Sequence, residues 1–156
     1  MADLDAAKAA LYSMIREYEG LYLHAYQCPA DVWTIGYGST GPDVVQGVVW
    51  TQEKAEAAMR KEADACLKAV LTLVPDACTD VLVALADFTY NLGAGRLASS
   101  TMLKKVKAGD MAGAALECRK WVWGGGKVLP GLVKRRAAEA ALLWSPATPT
   151  KTQLGN

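Results

Sequence analysis

EGLYLHAYQCPADVWTIGYGST, residues 19–40, decides the fold, because the spacing of apolar side chains changes there from that of a helix to that of a strand. Upstream, Leu4, Ala7, Leu11, Met14, Ile15 and Tyr18 form a stripe at helical spacing, which predicts an amphipathic helix from about Asp5 to Tyr18. Gly20 breaks it and sets Glu19 at or just past the last turn, at the junction between helix and strand. From Leu21 the period is two. Leu21, Leu23 and Ala25 alternate with Tyr22, His24 and Tyr26, and then Trp33, Ile35 and Tyr37 alternate with Thr34, Gly36 and Gly38. A small antiparallel sheet over Leu21 to Val49 follows, turned by Pro29 and by the stretch from Gly38 to Asp43.

Beyond Trp50 the helical period returns. Thr51 is a plausible N-cap with Glu53 in the first turn, and Ala55, Met59, Glu62/Ala63, Cys66, Val70 and Leu73 keep the spacing up to Pro75. Further helices are predicted over Thr79 to Leu92, Ser100 to Ala108, Asp110 to Val122 and Leu132 to Trp144, with Gly93 and Gly109 as breakers. The stretch Gly124 to Lys127 before Pro130-Gly131 reads as a loop, and Ser145 to Asn156, rich in Pro and Thr, as a disordered tail. The expected class is α+β with one catalytic domain over residues 1–144. A small sheet lobe spans about residues 12–50, and a larger helical lobe spans about 51–144 plus the N-terminal helix. A groove between the lobes is the natural site.

A chain of 156 residues is one domain's worth and needs no metal or disulfide to hold a core. Lys+Arg 17 against Asp+Glu 16 leaves a net charge of +1, too even for the phosphate-neutralising field of a nucleic-acid binder. Asp3 and Asp5 stand where a signal peptide needs positive charge, and no apolar run is long enough to span a bilayer, so a cytoplasmic product without stable membrane insertion is expected. Cys28, Cys66, Cys78 and Cys118 lie far apart with no C-x-x-C pair, and are expected as free thiols. One histidine and scattered thiols make no metal site, and nothing calls for a cofactor.

Cleavage of a glycosidic bond needs a carboxylic acid to protonate the leaving oxygen and a means of directing water at the sugar carbon from the opposite side. Glu19 can be that acid: at the helix-to-sheet junction its side chain can project into the groove and be partly desolvated, which moves a carboxyl toward the useful range. From position alone, an exposed Glu beside a helix end is the plainer reading. Cys28 as a thiol nucleophile served by His24 fails on distance, since four residues along a strand separate the two by roughly 13 Å. His24 reads instead as an exposed residue on the groove rim.

Glu19-Gly20, Ala25-Tyr26-x-Cys28-Pro29 and Trp33-Thr34-Ile35-Gly36-Tyr37-Gly38-Ser39-Thr40 together resemble the signature of the phage-type lysozymes, the muramidases of T-even and lambdoid phage endolysins. That motif places an acid, an Asp after eight residues and a Thr after five more; the spacings land here on Glu19, Cys28 and Thr34. Phe88-Thr89-Tyr90-Asn91-Leu92-Gly93 with Ser99-Ser100-Thr101, and Pro130-Gly131-Leu132-Val133-x-Arg135-Arg136-x-x-Glu139, are similar to further stretches of the family, so the resemblance covers about residues 5–144. Three positions depart from it: Cys28 replaces the Asp, Ser39 stands where many members have His, and Asp31 takes a place that is often Gly.

The resemblance implies a two-lobed lysozyme-like fold and cofactor-free hydrolysis, with inversion, of the bond between N-acetylmuramic acid and N-acetylglucosamine in peptidoglycan. Glu19 would be the general acid. An ordinary thiol is mostly protonated near neutral pH and is no strong base, so Cys28 and Thr34 are expected to position the water. Asp31 is the rival base, although a loop Asp after Pro is usually a turn former. His24, Tyr26 and Asn91 are candidates for glycan contact, Asn91 through an N-acetyl group. Tyr22 and Tyr37 could also stack on sugar rings, whereas Trp33 is expected in the core. Lys134-Arg135-Arg136 reads as a solvated face pairing with Glu139 or meeting peptide-stem carboxylates, and Arg135 and Arg136 are also candidates to restrain Glu19. A monomeric endolysin is implied. It would wait in the host cytoplasm until a holin opens the membrane, then act in the periplasm on a thin Gram-negative wall. A lytic transglycosylase and a non-catalytic glycan-binding protein are the rivals.

Overall fold

The computed structural model describes residues 2–145. The first helix, α1 (Leu4–Glu19), starts where the Asp3 carboxylate accepts a hydrogen bond from the Ala6 amide at 3.1 Å, and Gly20 ends it at φ +71°. Glu19 is thus its last residue. Strands β1 (Tyr22–Gln27) and β2 (Trp33–Gly36) pair antiparallel, with Tyr26 opposite Thr34 and Gln27 opposite Trp33. The sheet is smaller than the alternation to Val49 suggests: Val49 contributes only an isolated bridge to His24. The intervening chain is Gly- and Pro-punctuated and forms turns.

Helix α2 (Gln52–Leu73) is capped by Thr51, which accepts from the Lys54 amide at 3.1 Å. Helix α3 (Thr79–Leu92) is buried from Val81 to Tyr90 and packs against α1, α2 and the last helix. A helix apolar on every side beyond its first turn belongs in the middle of a bundle, and Asp87, the acid in its interior, is therefore buried too. Helix α4 (Ala94–Ser99) fills the stretch left without an element in the sequence reading. The Ser100 hydroxyl accepts from Leu103 at 3.0 Å to begin α5 (Thr101–Lys107), and Asp110 caps α6 (Met111–Cys118). The expected helix to Val122 stops four residues early. Strands β3 (Trp123–Gly124) and β4 (Lys127–Val128) make a short hairpin out of the glycine-rich loop. Helix α7 (Pro130–Leu143) starts two residues earlier than expected, with Pro130 where a missing N–H costs nothing.

The architecture is α+β and two-lobed, a small antiparallel sheet beside a larger helical body, with α1 between them. The core runs through the helical body, from Leu11 and Ile15 of α1 to Met59, Leu85, Phe88, Met102 and Ala140. The tail expectation for residues 146–156 lies outside the described residues. Among the described residues no helix is long and apolar enough to cross a membrane, and no cluster of side chains could hold a metal ion.

Candidate active site

Glu19 stands where α1 gives way to β1, its side chain only 19% exposed. Its two oxygens meet different surroundings. Oε1 accepts a hydrogen bond from a terminal nitrogen of Arg135 at 2.6 Å. Oε2 faces Gly38, where an added Cβ would sit 2.6 Å away. Gly38 has φ +81°, a backbone conformation that side chains resist. The turn that carries it is closed by two backbone hydrogen bonds between Ile35 and Ser39, at 2.9 and 2.8 Å. The Tyr90 hydroxyl donates to the Tyr37 carbonyl at 2.5 Å and ties the turn to α3. Only a residue without a side chain lets this turn come so close to Oε2.

Arg135 spends its other nitrogens on Asp87, with hydrogen bonds of 2.8 and 2.9 Å to the two carboxylate oxygens. Its guanidinium carbon lies 5.8 Å from the Tyr18 ring centre. Both partners are almost wholly buried. Burial alone would push the Asp87 carboxyl up, but hydrogen bonds and charge from Arg135 outweigh it and hold the group below the ordinary carboxylate range. Next to it, Arg136 is fully buried, lies 3.0 Å from Glu139 and donates to Asn91 at 2.7 Å. The pairing with Glu139 and the restraint of Glu19 by Arg135 are as expected, but the solvated face is not. Arg135 and Arg136 point inward because α7 lays this side on α3, and of the basic run only Lys134 is exposed.

Cys28 follows β1 and is half-buried. Its amide donates to the Val32 carbonyl at 3.0 Å and its carbonyl accepts from Asp31 at 2.8 Å, which closes a tight loop. Asp31 sits exposed at φ +60°, the conformation that suits a glycine or a turn-forming Asp. Thr34 is buried and its hydroxyl donates to the Val32 carbonyl at 2.9 Å. Because Thr34 lies opposite Tyr26, the two share a face of the sheet. Burial pushes the Tyr26 phenol up, and Tyr22, Glu19 and Cys28 add to it, so Glu19 and Cys28 both lie within electrostatic reach of that ring. Tyr26 is the common neighbour: Thr34 lies opposite it in the sheet, and Glu19 and Cys28 both act on its charge.

The remaining candidates scatter. His24 is exposed on β1. Tyr22 is exposed and stacks on Tyr26, ring centres 4.4 Å apart, while Tyr37 is buried and serves the core rather than a sugar ring. Trp33, expected in the core, is half-buried. Asn91 accepts from Arg136 through Oδ1, which leaves its amide nitrogen as the side available to a ligand. Two acids were missed. Glu62 of α2 reaches the surface, yet burial of its carboxyl, and then the charge of Glu19, push it up. Asp87 was legible as the one acid past the first turn of an otherwise apolar helix, and Glu62 as a charge within the apolar stripe of α2.

The profile of the family described as phage lysozyme matches residues 16–139. An endolysin of Acyrthosiphon pisum secondary endosymbiont phage 1 is 42% identical over 137 residues, 85% of this chain and 93% of that protein. A SAR-endolysin of bacteriophage PS119 is 34% identical over 81% of this chain and 77% of its own length. The chain spans about half of the endolysin of Bacillus phage B103, with 41% identity over 83% of this chain and 51% of that one. Among solved structures, the muramidase domain of SpmX from Asticaccaulis excentricus superposes with a TM-score of 0.77 at 32% identity, covering 88% of this chain and 96% of the other.

Proposed function

The chain belongs to the phage lysozyme family of glycoside hydrolases, and from that premise we propose that it is an endolysin cleaving the β-1,4 bond between N-acetylmuramic acid and N-acetylglucosamine of bacterial peptidoglycan. Glu19 is the general acid: its carboxyl gives a proton to the bridging oxygen as the bond from that oxygen to the sugar carbon breaks. Water, held by Cys28 and Thr34 on the sheet side, attacks the same carbon from the opposite face and inverts it; as the new C–O bond forms the water gives up a proton to solvent, and Glu19 is reprotonated from solvent for the next turnover. Cys28 acts by hydrogen bonding and shape, and Asp31, turned to solvent in its loop, takes no part.

The observation that carries this reading is the split environment of Glu19. One oxygen is anchored by Arg135 and the other lies against Gly38, so the second is the one left to carry and deliver the proton. Tyr26 beside the acid, His24 on the rim and Asn91 from α3 are proposed glycan contacts. Lysis at phage release is part of the proposal and rests on kinship with proteins named endolysin. Relatives carry both that name and SAR-endolysin. We keep the holin-opened path from host cytoplasm to periplasm, checked by expression with and without a hole-forming partner.

Mass spectrometry of digested peptidoglycan tests substrate and reaction together. Hydrated reducing ends are expected. Ends in the 1,6-anhydro form would replace the reading with a transglycosylase, and undigested wall with bound protein would replace it with a binder.

A further inference from the structure

The acid leans on a cluster that the reaction itself does not touch. Glu19 of α1, Asp87 of α3, and Arg135, Arg136 and Glu139 of α7 meet in the interior, with the Cys118 thiol of α6 against them. Asp87, Arg136 and Glu139 are fully buried, and Arg135 is 3% exposed. Glu19 stands at the edge of the cluster and gains and loses its proton in the reaction, so the interior pair decides: Asp87 and Glu139, both wholly buried, would be adjacent anions in a dry place at high cost if both were ionised. One of these two holds a proton. Asp87 takes two nitrogens of Arg135 and Glu19 takes the third. Glu139 has the poorest claim on a cation: it lies 3.0 Å from Nε of Arg136, but that nitrogen is not aligned as a hydrogen bond, and Oε1 of Glu139 accepts from no donor. An oxygen that carries a proton needs none.

We propose that Glu139 is a positioning residue for Glu19: it donates a hydrogen bond to Asp87, and Asp87 in turn fixes the guanidinium that orients the acid. The inference rests on the reading of Glu19 as the general acid. Burial pushes the Glu139 carboxyl well above the ordinary range, and its hydrogen bond with Asp87 pushes it further. The groups facing it are Asp87 from α3, Cys118 from α6, Tyr18 from α1, and Arg135 and Arg136 from its own helix. As an anion it would repel Asp87 and loosen the grip on Arg135; as a neutral donor it tightens that grip and leaves Asp87 a single charge aimed at Arg135.

The test compares Glu139→Leu, Glu139→Gln and Asp87→Asn in clearing rate, its dependence on substrate concentration, and thermal unfolding, with Glu19→Gln as control. Glu139→Leu is neutral and of similar bulk, and clears permeabilised cells about tenfold more slowly or worse, because the acid is no longer held in line. Glu139→Gln keeps an N–H donor toward Asp87 and recovers most of the rate, and Asp87→Asn loses rate like the Leu variant. The loss falls on turnover rather than on half-saturation, since Glu139 touches no substrate. Carbon-13 NMR of the Glu139 carboxyl in the unaltered protein reads its protonation directly, even if a variant fails to fold. Three results overturn the inference: an ionised Glu139 at neutral pH, Glu139→Gln no better than Glu139→Leu, or lower unfolding temperatures with an unchanged rate per folded molecule. If Glu19→Gln clears at the normal rate, the assignment of the acid has failed instead.

Discussion

Gly38 lies so close to Glu19 that one methyl group on it would sit 2.6 Å from Oε2. Such a methyl group meets both a left-handed backbone and an occupied space. Gly38→Ala is expected to destabilise the fold by about 1–3 kcal/mol and to slow lysis about tenfold or more by displacing the carboxyl. Urea unfolding and turbidity clearing measure the two effects, and an Ala variant with ordinary clearing would show that the closeness of Gly38 to Oε2 does not matter to the acid.

Removing Arg135 leaves Asp87 buried without a counter-charge. Arg135→Met should cost about 3–5 kcal/mol. Adding Asp87→Leu should return much of that stability, because an apolar pair replaces the ion pair, while lysis stays impaired because nothing orients Glu19. Recovery of both would mean that Arg135 serves the fold alone.

At Cys28 a serine keeps a hydrogen-bonding group of similar size. Cys28→Ser should therefore retain a measurable share of lysis, and so should Cys28→Asp. Loss with Ser but not with Asp would show that an ionisable group is required.

Two carboxyls make stability depend on pH in opposite senses. Hydrogen bonding from Arg16 holds Glu56 low, against a smaller push from burial, so its contribution is present above the ordinary carboxylate range and is lost as pH falls through its own lowered pKa. Burial raises Glu139, so its contribution is present in acid and is lost as pH rises from about 4.3 toward its raised pKa. Glu139→Gln does not titrate, and its stability relative to the parent should climb over that second window. A flat difference in denaturant midpoint would contradict the buried acid.

Thiol reagents should rank the cysteines by burial. Cys78 is exposed and reacts first, and half-buried Cys28 follows. Cys66, whose thiol is pushed up to about 12 by burial and then by Glu62 and Asp87, and buried Cys118 should react only on unfolding. Rapid labelling of all four in the folded protein would contradict the packing.

The change of period at Gly20 was enough to read α1, the sheet and the place of Glu19, because both patterns are local. A capping residue did the same for α2: the Thr51 hydroxyl accepts the amide its spacing suggests. Helix α4 escaped because it is six residues long and follows Gly93 with too few apolar positions to show a period. The basic run on α7 misled for a different reason. Charge on a helix usually faces water, and what turns Arg135 and Arg136 inward is one aspartate 48 residues earlier in Arg135's case and an asparagine 45 residues earlier in that of Arg136. No window of sequence contains both ends of such a pair. Cys28 and Thr34 are candidates by spacing alone, whereas the place of Thr34 opposite Tyr26 comes from strand register, which the spacing does not contain.

The bond from Arg135 to Glu19 joins residues 116 apart in sequence, one on the first helix and one on the last. While the chain is still being made, its opening helix and sheet leave the ribosome long before the arginine that aims their acid. A nascent or prematurely terminated product lacking α7 would thus carry the glutamate without its orientation. Catalytic competence would arrive only once α7 has been made and folded back onto α1.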